Sequence, residues 1–370
     1  MRHPIFMTVA ATVASALLIL PLSAHHEITA KFDPAKTMKL SGIVTNVDWA
    51  NPHVHLFMNV GTGSAMVNWA VELESVVDLQ AAKYTRDTVK PGDAITVDGI
   101  LARDGSKQIW GNTVMLAGNK RVFNVPEDNS PHVAGGPAPR WPDGKPKLGP
   151  ATGTTTGYWA KPTMTILAET GTNIQANKNG LLKNIADAPK VAPFQPWAKD
   201  LFTLRQQNRL GDDPQYLYCL PPGGPRQFQE QYGVQFVEDK DHQRIFVFVG
   251  SVDRNWRLIY LDGRQQVGQV RGDSDNPLYY GRSVGKWEGD TLVVDTKGFN
   301  EKFWFSNGGL PHTDKLHLVE RFTRTDMNTL KYEVTVDDPG AYTRTWSSGW
   351  NMGWIANEEL PVFFCQDNRP

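Results

Sequence analysis

The chain has two cysteines in 370 residues and no CxxC spacing, so a thiolate zinc cluster or a dithiol redox centre has no basis. Neither a GxxxxGK[ST] loop nor an HExxH pair occurs, which removes P-loop phosphate binding and zincin-type hydrolysis. Charge of one sign is also missing. The 38 Lys+Arg and 39 Asp+Glu leave a formal net charge of −1, so no bulk attraction draws the chain to nucleic acid or to an anionic membrane. Charged residues make up only 21%, too few for a coiled coil or a charged helical repeat. Beyond the first 24 residues, no apolar run is long enough to span a bilayer.

What is present points to strands and turns. There are 33 Gly, 25 Pro and 12 Trp, with 40% hydrophobic residues, ample for a core. The length suits two or three domains. Residues 1–24 read as a signal peptide: Arg2, an apolar centre from Ala10 to Leu20, and a small residue, Ala24, at the cleavage position. The mature protein is therefore expected in the periplasm or secreted, with membrane attachment only through an uncleaved signal. In an exported chain, Cys219 and Cys365 are expected to form a disulfide, and closing so long a loop is worth about 5 kcal/mol.

Alternation and turn residues predict a mainly β protein in two units. Residues 25–121 contain five strands, at Leu40–Val47, Val54–Val60, Val67–Leu73, Ala94–Leu101 and Gln108–Leu116, with a helix at Ser75–Lys83 after the third. That order matches a small OB-like barrel. Residues 122–196, broken by Pro and Gly, read as a linker. Residues 197–370 open with a helix at Pro196–Arg209, with Trp197, Leu201, Leu204 and Asn208 on one stripe. They continue as hairpins that fit a larger antiparallel, lipocalin-like barrel or sandwich.

Certain stretches resemble known families. His25-His26, Gly42-Ile43-Val44, Asn51-Pro52-His53 and Lys90-Pro91-Gly92-Asp93 resemble a family of exported bacterial domains of unknown function, over roughly residues 24–123. Cys219-Leu220-Pro221-Pro222, the run from Ser283 to Leu292 and Asp337-Asp338-Pro339 are similar to a second uncharacterised exported family, over most of 197–370. Neither resemblance implies a reaction.

Three constellations carry chemistry. A mature terminus at His25 would offer an amine and an imidazole as a chelate, with His26 beside it and His53 and His55 on one strand face. Such nitrogen ligands suit copper(II). The plainer reading is a frayed terminus and an Asn-Pro turn. In the second unit, alternation places Glu320 on an apolar face and groups Tyr342, Arg344 and Trp346, which suggests a Glu320–Arg344 pair beneath an aromatic pocket. His312 is the acid or base at its mouth. The plainer reading there is a buried ion pair that fixes barrel register. Trp287, Trp304 and Trp346, with Trp350 and Trp354, form the third group, a platform for sugars or planar ligands; the plainer reading is barrel core. Together these predict a barrel that holds a hydrophobic or aromatic small molecule and acts on it without an organic cofactor, as a lyase, isomerase or hydrolase. The competing expectation is a copper-binding protein that is not an enzyme.

Overall fold

Period-two alternation builds both units. The computed structural model describes residues 31–50, 53–118, 120–123, 135–153, 156–160, 166–176, 180–207, 213–230, 232–251, 255–266 and 277–361. The signal segment, His25, His26 and Cys365 lie outside these residues.

The first unit contains β1 (Phe32–Asp48), β2 (His55–Val60), β3 (Val67–Glu72), α1 (Val76–Ala81), β4 (Ala94–Ala102), β5 (Gln108–Leu116) and β6 (Lys120–Val122). The sheet order is β3-β2-β1-β4-β5-β6, and a parallel β3–β5 pairing joins strands on either side of β1 and β4. β1 is long because it serves two neighbours. Its first part pairs with β4 and its last part with β2, and the exchange occurs around Gly42. A Cβ on Gly42 would lie 2.2 Å from the Asn59 carbonyl oxygen, so only glycine lets the strands approach there. Leu40, Val44, Leu56, Met58, Val71, Val97 and Ile109 fill the interior. A register shift between Asp98 and Gly99 turns the end of β4 over, so that Ile100 and Ala102 pack with Phe32 and Trp110 in a separate small cluster.

The second unit is a closed ring of nine strands. These are β7 (Gly157–Ala160), β8 (Val234–Asp239), β9 (Arg244–Val249), β10 (Asn255–Tyr260), β11 (Arg282–Glu288), β12 (Thr291–Lys297), β13 (His317–Arg324), β14 (Thr329–Asp337) and β15 (Trp346–Ala356). A ring with an odd number of strands cannot alternate direction at every step, so at least one neighbouring pair must run parallel. Here that pair is β10–β11. A parallel pair needs a long return of the chain, and the connection from Leu261 to Gly281 is the return. The barrel reading of the sequence therefore stands over the sandwich, with one parallel seam in an otherwise antiparallel wall.

The barrel is filled, partly by its own chain. In β14, Leu330, Tyr332, Val334 and Val336 are buried and the residues between them face outward, as alternation predicts. A short helix α2 (Pro214–Tyr218), with Tyr218 exposed, leads to the 3₁₀ turn Gly224–Gln229, which packs inside with every residue buried. Phe228 meets Phe236 of β8, Phe322 of β13 and Tyr332 of β14, at ring separations of 6.4, 5.2 and 4.8 Å.

Two sequence expectations are corrected here. Much of the expected linker at 122–196 is part of the barrel. β7 stands between β15 and β8, and Leu148, Trp159, Leu167 and Val191 are buried in the barrel core. The Trp159 indole donates to the Leu148 carbonyl at 2.8 Å, and that of Trp141 donates to Glu238 at 2.9 Å. Proline and glycine remove periodicity without removing burial, so each apolar residue anchors singly. The helix forms at Pro196–Gln207, but Ala198 and Phe202 are its buried residues. Trp197 and Leu204 are exposed, because Phe202 instead stacks on Phe194, which packs in turn on Tyr342.

Candidate functional site

Five successive strands each send one polar side chain toward a single point inside the barrel: Arg257 (β10), Ser283 (β11), Thr296 (β12), Glu320 (β13) and Tyr332 (β14). All five are buried. Arg257 Nε donates to Ser283 Oγ at 2.9 Å and Nη2 to Thr296 Oγ1 at 2.7 Å. Its Nη1 donates to Glu320 Oε1 at 3.1 Å, and Nη2 also bonds Glu320 Oε2, making the pair bidentate. Tyr332 donates to Glu320 Oε1 at 2.9 Å. Burial, with the Glu320 charge beside it, pushes the Tyr332 hydroxyl well above its ordinary range.

A second buried network lies on the inserted segment. Arg226 forks onto Asp213 at 2.9 and 2.8 Å and reaches Glu230 at 3.2 Å. Gln215 and Ser251 donate to Glu230 as well. Tyr280 stands near both Glu230 and Arg257. Burial, and then the Glu230 charge, raise its hydroxyl well above the ordinary value. The Tyr280 oxygen is buried and meets no hydrogen-bond partner among the described residues.

The parallel seam leaves an opening beside these groups. β10 and β11 are in register only at Ile259–Ser283 and Tyr260–Val284. Upstream, Asn255–Leu258 and Leu278–Arg282 diverge, and a cavity of about 390 Å³ fills the gap. Trp256, Leu258, Tyr260, Tyr279 and Tyr280 supply apolar and aromatic lining, Arg257, Arg282 and Ser283 supply polar groups, and Pro221 of the inserted segment adjoins them. Trp256 is 58% exposed, whereas Arg257 is 2% exposed.

Ser283 is the centre of Gly281-Arg282-Ser283-Val284-Gly285, a GxSxG spacing. It sits on a barrel strand with no helix following, and its hydroxyl is shared between Arg257 Nε and Thr296 Oγ1. It therefore lacks the strand–turn–helix setting and the histidine contact of an activated nucleophile.

The structure keeps Tyr342 and Trp346 together, with ring centroids 5.3 Å apart, but parts Glu320 from Arg344. Glu320 faces inward as expected, but its partner is Arg257 rather than Arg344. Arg344 is exposed and forks onto Glu169 at 2.6 and 3.0 Å. The period-two argument fails for it because β15 begins only at Trp346. Tyr342 is buried, and its hydroxyl donates to the Pro311 carbonyl at 2.8 Å. His312 is buried against Phe303 and Phe305, with Nε2 at 2.8 Å from the Asn300 carbonyl. Burial pulls the His312 imidazole down to about 4, where it is a poor base at neutral pH. Trp346 packs on Tyr342, Arg205 lies over Trp304, and Trp287 packs on the core; none of the three tryptophans lines the seam cavity. Arg257 was legible by the same alternation that singled out Glu320, since it shares the inward face of β10 with Ile259. Tyr280 precedes β11 and carried no periodic signal.

In the first unit, His53 and His55 do converge, on a residue the sequence reading passed over. His53 Nδ1 is 2.5 Å from Glu72 Oε1, and His55 Nε2 is 3.4 Å from Oε2. Lys31 Nζ is 2.7 Å from Oε2. Burial alone would raise the Glu72 carboxyl. The hydrogen bonds from both imidazoles and the charges of His53 and Lys31 outweigh it and hold the group well below the carboxylate range. The His53 ring meets the Trp110 ring in an edge contact at 5.3 Å. Among the described residues, no three His, Cys, Asp or Glu side chains are arranged to hold a metal ion.

A protein-family model described as a family of unknown function (DUF6152) matches residues 13–110, which reach from the N-terminal segment into β5. No curated protein and no solved structure matches the chain.

Proposed function

We propose that the nine-stranded barrel binds a small hydrophobic or aromatic molecule in the cleft between β10 and β11, and that it does so in the periplasm. The observation that carries the reading is the cleft itself: aromatic side chains surround an opening in the wall that leads to the otherwise buried Arg257 and Ser283. Its volume lies within the range of small-molecule sites, and an apolar lining with a few convergent polar groups is their usual chemistry. The reading is of binding rather than turnover. Glu320, the carboxylate closest to a catalytic role, has both oxygens bonded to Arg257 and one also to Tyr332, so it is poorly placed to take a proton. Native mass spectrometry of protein purified from its own periplasm tests the proposal. A retained organic ligand, lost in Trp256→Ala, supports it. A ligand-free protein that also takes up no aromatic probe refutes it.

The OB-like reading of the first unit belongs here as well. It is supported by the ring order β1-β2-β3-β5-β4, the parallel β3–β5 contact and α1 between β3 and β4. The copper reading has one observation in its favour, the gathering of His53 and His55 on the buried Glu72. Copper(II) titration of the processed protein decides it. Binding weakened by His53→Ala, and by one extra residue before His25, supports a site shared with the terminus. Affinity unchanged by both removes it.

A further inference from the structure

We propose that the occupant of the β10–β11 cleft is a planar aromatic carboxylate, its ring against the tyrosines and Trp256 and its carboxylate beside Tyr280 and the two arginines. This rests on the cleft being the binding site. The first argument is hydrogen-bond satisfaction. A buried hydroxyl with no partner is unfavourable, and Tyr280 places one at the cleft with no acceptor among the described residues. The second is donor count. Arg257 has five N–H groups, and four are taken by Ser283, Thr296 and the two Glu320 oxygens, which leaves one on Nη1.

The third argument is charge. Among the described residues, Arg257 and Arg282 line the cleft and no acidic residue does. The nearby carboxylates have their own partners: Glu320 is held by Arg257 and Tyr332, and Glu230 by Arg226, Gln215 and Ser251. The Arg257 charge is matched by Glu320, so the polar end presents hydrogen-bond donors, from Tyr280 and the remaining Arg257 N–H, which selects an acceptor-only group over an ammonium. The fourth is shape. A cavity of about 390 Å³ with Trp256, Tyr260 and Tyr279 around it has room for two fused rings and offers aromatic faces to them.

Three probes that share a ring system and differ in the head group test the assignment on the full processed protein: 2-naphthoate, 2-naphthalenemethanol and 2-naphthylmethylamine. Binding is read by equilibrium dialysis, and the contribution of Trp256 by comparison with Trp256→Ala. The acid is expected to bind about tenfold or more tighter than the alcohol, and the amine most weakly. Tyr280→Phe is expected to bring the acid to within about threefold of the alcohol, since one charge-assisted hydrogen bond is worth roughly that loss. Trp256→Ala should weaken all three. Equal affinity of acid and alcohol for the unmodified protein would overturn the carboxylate while leaving the cleft as a site. Failure of every probe, or binding indifferent to Trp256→Ala, would overturn the cleft itself. Because the head-group series uses the unmodified protein, it decides the matter even if Tyr280→Phe does not fold.

Discussion

At the scale of single residues, His312 and Glu320, two buried ionisable groups among the catalytic candidates, bear on stability in different ways. His312 is 7% exposed, and its imidazole is depressed from 6.5 to about 4 by burial. Between those values the unfolded chain binds a proton that the folded chain does not. Stability is therefore complete above about pH 6.5 and falls as the pH drops toward 4, by about 3 kcal/mol if the shift is fully expressed. Urea unfolding from pH 7 to pH 4 should show this slope, and His312→Gln should flatten it while keeping a donor to the Asn300 carbonyl. An unchanged slope in the variant would assign the acid sensitivity elsewhere. Glu320 differs in that its charge is already paired. Arg257→Met would leave a carboxylate buried without a counter-charge, expected to cost about 3–5 kcal/mol, whereas the double variant Arg257→Met/Glu320→Leu should recover much of that loss. A single variant that unfolds within about 1 kcal/mol of the unmodified protein would mean that water reaches the pair.

At the scale of elements, strands were legible wherever alternation ran unbroken. The sequence places strands at Ala94–Leu101 and Gln108–Leu116, and the structure has them at Ala94–Ala102 and Gln108–Leu116. Inward Glu320 followed from the same period. Arg344 did not, because the period was carried into residues that precede β15. β7 escaped notice for a different reason: four residues are too few to show a period, and their stability comes from neighbours far away in sequence. Its first residue illustrates this. A Cβ on Gly157 would stand 2.2 Å from the Trp354 ring and 2.7 Å from the Ile355 carbonyl oxygen, so Gly157→Ala must push β7 away from β15. A loss of about 1–3 kcal/mol is expected, measured by chemical unfolding. Little or no loss would show that β7 is a loose flap and not a wall strand.

At the scale of the whole molecule, the barrel's extent matters most. Read from composition, the second unit begins at the helix near residue 197. In the structure it needs much of what precedes that helix. β7 closes the ring between β15 and β8, Leu148 and Trp159 are fully buried in its core, and Arg324 donates to the carbonyls of Lys147 and Gly149 at 2.8 and 2.7 Å. Arg140 also forks onto Asp290. A fragment starting at residue 197 would leave two strand edges unpaired, expose core side chains and strip Arg324 of two of its acceptors, leaving only the Met327 carbonyl, losses that weigh against the small net stability of a domain. Such a fragment is expected to be aggregated or molten, with no cooperative thermal transition. A fragment starting at residue 135 retains β7 and these contacts, so it should melt cooperatively and keep the aromatic-probe binding proposed for the β10–β11 cleft. If the shorter fragment melted as sharply as the longer one, the barrel would close without β7, and the ring of nine strands would be the wrong description of the folding unit. The longer fragment also lacks all of residues 31–123, so probe binding that survives in it would assign the ligand to the barrel alone.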